Sequence, residues 1–415
     1  MKSTTPCRSC GGTDLQIFLD LGMTPLADRL VKPDQVNDDE PHHPLLVGFC
    51  PGCTMVQITE TVPPEVLFQE DYPYYSSFSD ALLEHSRDNA LDLIERRKLC
   101  PNSTVVELAS NDGYLLKNYH EESINVLGID PASGPAAKAE EMGIETIVDF
   151  FGIELAQKLK AERGLQADVI HGNNVLAHVA DTNGFVAGIA EILHEDGVVV
   201  IEAPYVKELI ERCAFDTIYH EHLLYLSVTS FDNLFRRHGL YLNEIKSLDI
   251  HGGSLRFYAE KKENVGESVK TLLAMEQSLG VDSLSYYENF SGRVNALRDE
   301  LVSLLKRLKA EGRTLAAYGA AAKGSTLINF MDIGSDLIDF VVDRNVHKQG
   351  LLMPGQHQPI FGPEKLLADM PDDVLLLTWN FADEIMAQQS DYLKHGGRFI
   401  VPVPHPQLVG KENVS

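Results

Sequence analysis

Thr104-Val105-Val106-Glu107-Leu108-Ala109-Ser110-Asn111-Asp112-Gly113 is the stretch that decides the fold. Its first half, mostly apolar and β-branched, reads as a buried strand; its polar, glycine-ended second half reads as a tight turn that opens a helix. Such a turn leaves backbone N–H groups facing a ligand, and Gly113 permits close approach. The next apolar run, Asn125-Val126-Leu127-Gly128-Ile129, ends on Asp130, where a carboxylate can bind ribose hydroxyls. Ala167-Asp168-Val169-Ile170 and Val198-Val199-Val200-Ile201 repeat the strand pattern, and helical spacing separates several of these runs. That alternation is the signature of a parallel sheet wrapped by helices. Taken alone, the turn also reads as a plain strand-to-helix connection capped by Asn111 or Asp112, since no Gly-x-Gly-x-x-Gly run is present.

Outward from this centre the chain divides in three. Residues up to about Asp71 are rich in Pro, Asp and short apolar runs, and a helical pattern then starts at Phe78 and runs through Leu82, Leu83, Leu91 and Ile94. Beyond the central strands lie a further strand at Leu255–Ala259 and a long helical stretch from about Glu267 to Ala310, broken near Gly280. A second αβ unit follows, with strands expected at 314–318, 338–342, 374–377 and 398–401. The expected architecture is α/β in three domains, 1–71, 72–262 and 263–415, because 415 residues exceed what one core supports. A formal net charge of -26 argues against broad binding to nucleic acid or anionic membrane, since phosphate binding rests on Lys and Arg. No apolar run approaches the roughly 20 residues of a membrane span. The N-terminus lacks a signal-peptide stretch, so a cytoplasmic protein is expected, and paired cysteines there hold metal more often than they form disulfides. Nothing in the sequence fixes an oligomeric state.

Cys7-Arg8-Ser9-Cys10 and Cys50-Pro51-Gly52-Cys53 are two Cys-x-x-Cys hairpins, which together supply the four thiolates of a closed, structural zinc site. Residues 11–49 between them exceed ordinary zinc-ribbon spacing and must fold back. The competing reading, redox pairs, lacks the preceding thioredoxin-type strand. Cys100 and Cys213 have no partner at ligand spacing. Asn173-Asn174 and His178 follow the strand ending at Ile170, where an αβ sheet places its active site. Tyr72-Pro73-Tyr74-Tyr75-Ser76-Ser77 is aromatic and hydroxylated, and Tyr219-His220-Glu221-His222 packs four proton-handling groups into one turn. In the second αβ unit, Gly319-Ala320-Ala321-Ala322-Lys323-Gly324-Ser325-Thr326 follows a strand and opens a helix, with Lys323 a point charge suited to a phosphate. Asp343-Arg344-Asn345 and Lys348 come after the next strand; a surface turn with solvated charges is the bland alternative.

Together these residues resemble the sugar C-methyltransferases of deoxysugar biosynthesis, the group that includes the enzyme of tetronitrose formation. The resemblance covers nearly the whole chain and includes His251-Gly252-Gly253-Ser254-Leu255-Arg256 and Lys348-Gln349-Gly350 with Pro354-Gly355. It implies an N-terminal zinc domain (1–71), a central class I S-adenosylmethionine domain (72–262) and a C-terminal Rossmann-like domain for the substrate's nucleotide (263–415). The implied reaction methylates a carbon beside the ketone of a nucleotide-linked 4-keto deoxysugar. Cofactor contacts are then expected from Glu107, Ala109, Asn111, Asp112, Gly113, Asp130, Asn173 and Asn174, although Ala109 stands where such enzymes usually have glycine. His222 becomes the leading base, with His220 its alternative and Glu221 its orienting partner; Tyr219, His178 and Tyr74 or Tyr75 would bind the keto oxygen and its neighbours. Lys323, Gly319, Ser325, Thr326, Arg344 and Lys348 would hold the nucleotide. Three rival readings are methyl transfer to oxygen or nitrogen, an NAD-dependent oxidoreductase built on the Gly319 loop, and a zinc-ribbon binding module with a dead enzyme domain.

Overall fold

The structure, a computed structural model, describes residues 2–3, 5–67, 75–78, 80–248 and 253–411. The N-terminal sheet is antiparallel and contains Lys2–Ser3 (β1), Leu15–Pro25 (β2), His42–Phe49 (β3) and Val56–Ile58 (β4). Its fifth strand, Leu224–Tyr225 (β10), comes from far along the chain and pairs with β4 at Leu224–Gln57 and Tyr225–Val56.

The central sheet has seven strands in the order β11-β12-β9-β8-β5-β6-β7. Thr104–Leu108 (β5), Asn125–Ile129 (β6), Thr146–Ile147 (β7), Ala167–Asn173 (β8) and Leu193–Pro204 (β9) run parallel. Tyr241–Leu248 (β11) and Ser254–Glu260 (β12) add an antiparallel edge. Val105, Val106, Val169, Ile170, Val198 and Val200 are fully buried, because a parallel sheet is covered on both faces and needs continuous apolar strands. The chain reverses its lateral direction between β5, β6 and β8, which places a ligand crevice at the carboxyl ends of these strands. Asp80–Arg97 (α1) packs beside that edge, and Thr182–Ile192 (α2) follows β8. The stretch expected to be one interrupted helix is Glu267–Leu279 (α4) and Phe290–Ala310 (α5), the first ended by left-handed Gly280, φ 76°.

The C-terminal sheet, order β15-β14-β13-β16-β17-β18, is parallel except for its last strand. It consists of Leu315–Tyr318 (β13), Val341–Val342 (β14), Ile360–Phe361 (β15), Asp373–Leu376 (β16), Arg398–Val401 (β17) and Gln407–Val409 (β18). The strand expected from 338 is confined to Val341–Val342, because Leu337 and Ile338 donate to Gly334 O in a turn. Ala322–Phe330 (α6) leaves β13 through the Gly319 turn. The mixed α/β architecture, with a mostly parallel sheet at the centre and a second one in the C-terminal unit, is the one expected.

The α4 helix docks on Val228–Arg236 (α3) through one fully buried carboxylate. Glu276 Oε1 accepts from Tyr205 Oη at 2.8 Å and Val228 N at 2.7 Å, and Oε2 from Thr229 N at 2.8 Å and Thr229 Oγ1 at 2.6 Å. Two of these donors are amides that a helix start leaves unsatisfied, and the positive helix end favours the charge. Glu276→Ala is expected to strand four donors, two of them fully buried, and lower stability by about 2–4 kcal/mol, read as a falling thermal midpoint. Glu276→Gln, which keeps the volume, should lose less.

Candidate active site

Three consecutive turns, after β5, β6 and β8, build one side of the crevice. Ala109 and Asn111 hold left-handed backbone conformations (φ 56° and 50°), as does Gly113 at φ 76°. A Cβ on Gly113 would lie 2.7 Å from Ile144 Cδ1, so the glycine is needed both for conformation and for space. The departure from glycine at Ala109 therefore costs strain that the surrounding structure must hold, of order 1–2 kcal/mol for a non-glycine residue in this region. Asp130 supplies part of that restraint: its carboxylate accepts from Asn111 N at 2.7 Å and Ala132 N at 2.8 Å. Burial pushes the Asp130 carboxyl up, against the pull of these two amides. Tyr75 to Phe78 lie across the same turn, Ser76 N donating to Asn111 Oδ1 at 2.9 Å and Ser77 N to Asp112 Oδ2 at 3.2 Å. Asn174, also left-handed at φ 53°, donates its amide to Glu202 O at 2.8 Å and so turns the chain at the end of β8.

Beneath these turns lies a set of buried polar atoms with no hydrogen-bond partner among the described residues: both Glu107 oxygens, Ser110 Oγ, Asp112 Oδ1 and Asn173 Oδ1. Such groups are costly unless a ligand or water meets them. Burial, reinforced by Asp130, Asp112 and Glu202, raises the Glu107 carboxyl well above its ordinary range. An acidic, unsatisfied cradle suits a ligand carrying positive charge, and the sulfonium and ammonium of S-adenosylmethionine are such charges. Glu202 is itself held by Arg256 Nε at 2.6 Å and His85 Nε2 at 2.9 Å; sequence reasoning quoted Arg256 within a motif without giving it a role and missed His85.

The turn of four proton-handling residues does not act as one cluster, and its side chains diverge. Tyr219 and His222 stay together, with Tyr219 Oη 3.0 Å from His222 Nε2 and ring centroids 4.1 Å apart. His222 Nδ1 lies 2.8 Å from Thr217 O. A carbonyl can only accept, so Nδ1 carries the proton and the Nε2 lone pair receives the Tyr219 hydroxyl in the neutral ring. The His178 ring stands edge-on at 4.8 Å, brought there because Leu223 N donates to Ala177 O at 2.7 Å. Burial, and then the neighbouring His222, push His178 down to about 3, so it is neutral at physiological pH.

His220 turns the other way, its Nε2 donating to Pro44 O on β3 at 3.3 Å, with the His43 ring beside it. Burial lowers it to about 4. The structure thus separates the two histidines that sequence left interchangeable. Glu221 was expected to orient His222, but Thr217 O does so, and Glu221 looks toward Asp28 and Lys348. Burial, and then Asp28, raise Glu221 to about 8. Tyr74 lies outside the described residues, as do His251 and Gly252; Tyr75 is half-buried near Gly134.

The expected phosphate site is also rearranged. Lys323 is half-buried, with Nζ 3.7 Å from Asp216 Oδ2, 3.0 Å from Asn380 Oδ1 and 3.9 Å above the Trp379 ring. Its charge is answered within the protein. Ala322 N, at the start of α6, donates to the Asp28 carboxylate, so the anion at this helix end comes from the N-terminal unit. Gly319 packs against Thr378, where a Cβ would come within 2.5 Å. Ser325 and Thr326 are buried, Thr326 Oγ1 donating to Ile218 O at 3.2 Å. Lys348 Nζ donates to Ala320 O at 2.7 Å, and the Arg344 guanidinium is solvent-exposed near Glu384 and Gln388.

Cys7, Cys10, Cys50 and Cys53 converge with all four sulfurs within 4.8 Å of one another; Cys7–Cys53 and Cys10–Cys50 are 3.5 Å apart. Tetrahedral zinc–sulfur bonds place sulfurs roughly 3.8 Å apart, so the set fits the ion. All but Cys10 are buried.

Three family models match the chain: a zinc binding domain over residues 7–68, a methyltransferase domain over 80–245 and a C-methyltransferase C-terminal domain over 249–404. The C-methyltransferase NovU of Streptomyces niveus is 35% identical over 410 residues, which are 98% of this chain and 97% of its own. Among solved structures, the magnesium protoporphyrin IX methyltransferase of Synechocystis with bound S-adenosylmethionine is 10% identical, with a TM-score of 0.34, covering 43% of this chain and 79% of its own. The CcbJ methyltransferase of Streptomyces caelestis is 13% identical, with a TM-score of 0.33, covering 42% and 88%. Both superpose on less than half of the chain.

Metal analysis of the reduced protein is expected to give about one zinc per chain. Asp130→Ala should free the Asn111 turn and weaken S-adenosylmethionine binding in calorimetry by up to a few kcal/mol. Unchanged affinity would take Asp130 out of the cofactor site.

Proposed function

The chain belongs to the C-methyltransferases, with a zinc-binding N-terminal domain and an S-adenosylmethionine-dependent core, and from that premise we propose that its acceptor is a carbon beside the ketone of a nucleotide-linked 4-keto deoxysugar, the nucleotide being dTDP or similar. The observation that carries this reading is the Tyr219–His222–Thr217 relay beside neutral His178, at the same sheet edge as the cofactor cradle. Carbon is a poor nucleophile until a neighbouring carbonyl stabilises the charge left when its proton departs. That chemistry needs a base and a hydrogen-bond donor side by side.

S-adenosylmethionine supplies an electrophilic methyl group when bound; Glu107, Ala109, Asn111, Asp112, Gly113, Asp130, Asn173 and Asn174 would line its site. His222 is the base: Thr217 O fixes the Nδ1–H tautomer, leaving Nε2 to take the proton. The Tyr219 hydroxyl, already bonded to Nε2, either passes that proton on or moves aside to meet the keto oxygen. His178, kept neutral by burial, and Tyr75 offer hydrogen bonds to the developing enolate and its neighbours. Glu221, raised to about 8, is protonated at neutral pH and can donate to a sugar oxygen. The nucleotide is assigned to the carboxyl edge of the C-terminal sheet beside Arg344, because Lys323 is already paired and α6 is already capped by Asp28.

His222→Ala should retain cofactor and sugar binding while turnover falls by roughly 10²–10⁴-fold. Proton exchange in D₂O with a non-donating cofactor analogue localises the base. Loss of exchange in His222→Ala but not in Tyr219→Phe means direct abstraction; loss in both means a relay through the phenol. Normal exchange in His222→Ala would move the role elsewhere. Carbon transfer itself is read from product made with a labelled methyl group, whose NMR shift on oxygen or nitrogen would overturn the reading. Arg344→Ala should raise the Michaelis constant for the nucleotide sugar and spare cofactor affinity.

A further inference from the structure

The zinc knuckles touch the rest of the protein through their peptide carbonyls. Ser9 and Cys10 direct their amide N–H groups at Cys7 Sγ. In a trans peptide the C=O points opposite to the N–H, so the same two peptide units aim Arg8 O and Ser9 O away from the sulfur. Asn183, at the start of α2, receives both: its Nδ2 donates to Arg8 O at 2.7 Å and to Ser9 O at 3.0 Å. Its own Oδ1 accepts from His238 Nε2 at 3.0 Å, so the amide is locked in one orientation. Arg237 Nη2 donates to Ser9 O at 2.9 Å and also to Ser9 Oγ, and Asn233 Nδ2 reaches Cys53 O at 3.3 Å. Asn183 and Arg237 of the methyltransferase unit thus grip two carbonyls whose direction follows from the Cys7 sulfur, and Asn233 holds a third on the other knuckle.

Two short paths lead from this grip to the proposed reacting groups. Asn183 stands five positions after His178, and Thr182 Oγ1 ties the start of α2 back to Val179 O at 3.0 Å. On the other side, the second knuckle runs from Cys53 directly into β4, which pairs with β10; Ile58 N donates to Leu223 O at 3.1 Å. Leu223 follows His222 and donates its own amide to Ala177 O at 2.7 Å. The histidine pair at 4.8 Å therefore hangs between two strands of structure that both start at the metal ligands.

We propose that the zinc site is a positioning element for catalysis: Asn183 and Arg237 transmit the geometry of the metal-bound knuckles to His178 and the Tyr219–His222 pair, without contributing to the cofactor cradle. The proposal rests on the reading of those three side chains as the reacting site, and His222→Ala tests that reading by itself. The closing experiment uses the full-length zinc-loaded protein carrying Asn183→Asp, Arg237→Ala or Arg237→Lys. Asn183→Asp keeps size and shape but sets a carboxylate against two carbonyls. Zinc content, cofactor affinity by calorimetry, kcat and KM, and hydrogen exchange at 177–178 and 219–225 are measured together. The expected result is a kcat lowered by about 10-fold to 10²-fold, as sub-ångström to ångström misplacement produces, with cofactor affinity within about twofold, faster exchange in both segments and partial rescue by Arg237→Lys. Chelating the zinc from the wild type should reproduce the same split, and adding zinc back should reverse it. Unchanged kcat in Asn183→Asp and Arg237→Ala, or cofactor affinity falling in step with kcat, would overturn the proposal; the second result would reduce the clasp to general stability. Should His222→Ala prove fully active, the assigned site fails, and the exchange data still report whether the knuckles order these segments.

Discussion

Ten residues, Asp216 to Tyr225, carry the constraint on which the rest of the structure depends. Asp216 binds Trp379 and Lys323 of the C-terminal unit, and Ile218 O accepts from Thr326 on α6. His220 donates to the N-terminal sheet, Leu223 receives its hydrogen bond from Ile58, and Leu224–Tyr225 become a strand of that sheet. Between these anchors sit Tyr219 and His222. A loop this polar would ordinarily be among the most mobile parts of a fold. Here its backbone and side chains are consumed by three units, and the only orientation left for the His222 ring is the one that Thr217 O and Tyr219 allow. Preorganisation of this kind matters because a base must meet its proton within hydrogen-bond reach.

The cofactor edge is built on the opposite principle, with polar groups left unmet. Both Glu107 oxygens and Asp112 Oδ1 have no hydrogen-bond partner among the described residues, beside the satisfied carboxylates of Asp130 and Glu202, and left-handed turns at Ala109, Asn111 and Asn174 hold this edge in shape. Each cost is reasonable only where a ligand compensates it, so the two halves of the site differ in what they await. The cradle fits a cationic ligand, whereas the His178 imidazole beside His222 is kept neutral by burial.

What was legible in the sequence follows the range of the interactions. Strands β5, β6, β8 and β9 declare themselves through apolar runs, and the two Cys-x-x-Cys hairpins through local chelating geometry, because both signals lie within a few residues. Left-handed turns were legible at Gly113 and hidden at Ala109 and Asn174, where side chains tolerate what composition does not advertise. The direction of a side chain in a loop was not legible at all. His220 and His222 differ by two positions and face different units, and Glu221 between them answers Asp28 and Lys348. Thr217 contributes only its carbonyl, which no residue-type pattern can flag. Asn183 and Arg237 look like ordinary helix-surface polar residues until the knuckles are folded against them.

The anionic substrate proposed above would have to meet a chain of net charge -26. A helix start and a lysine beside a small-residue turn form an anion site in the abstract, and α6 has both. In the folded protein the helix start is met by Asp28, and Lys323 is met by Asp216 and the face of Trp379. Those pairings join the N-terminal unit to the C-terminal one and the C-terminal unit to the central one. Lys348 is likewise turned to Ala320 O and to the Asp28–Glu221 pair. Favourable charge for the proposed nucleotide would then come from a residue whose charge is unburied, and Arg344 at the carboxyl edge of the C-terminal sheet meets that condition. Recognition by one exposed guanidinium is weaker than recognition by a buried, preorganised cradle, and it would leave the sugar's own polar contacts with Tyr219, His178 and Glu221 to decide which substrate is held in register for deprotonation.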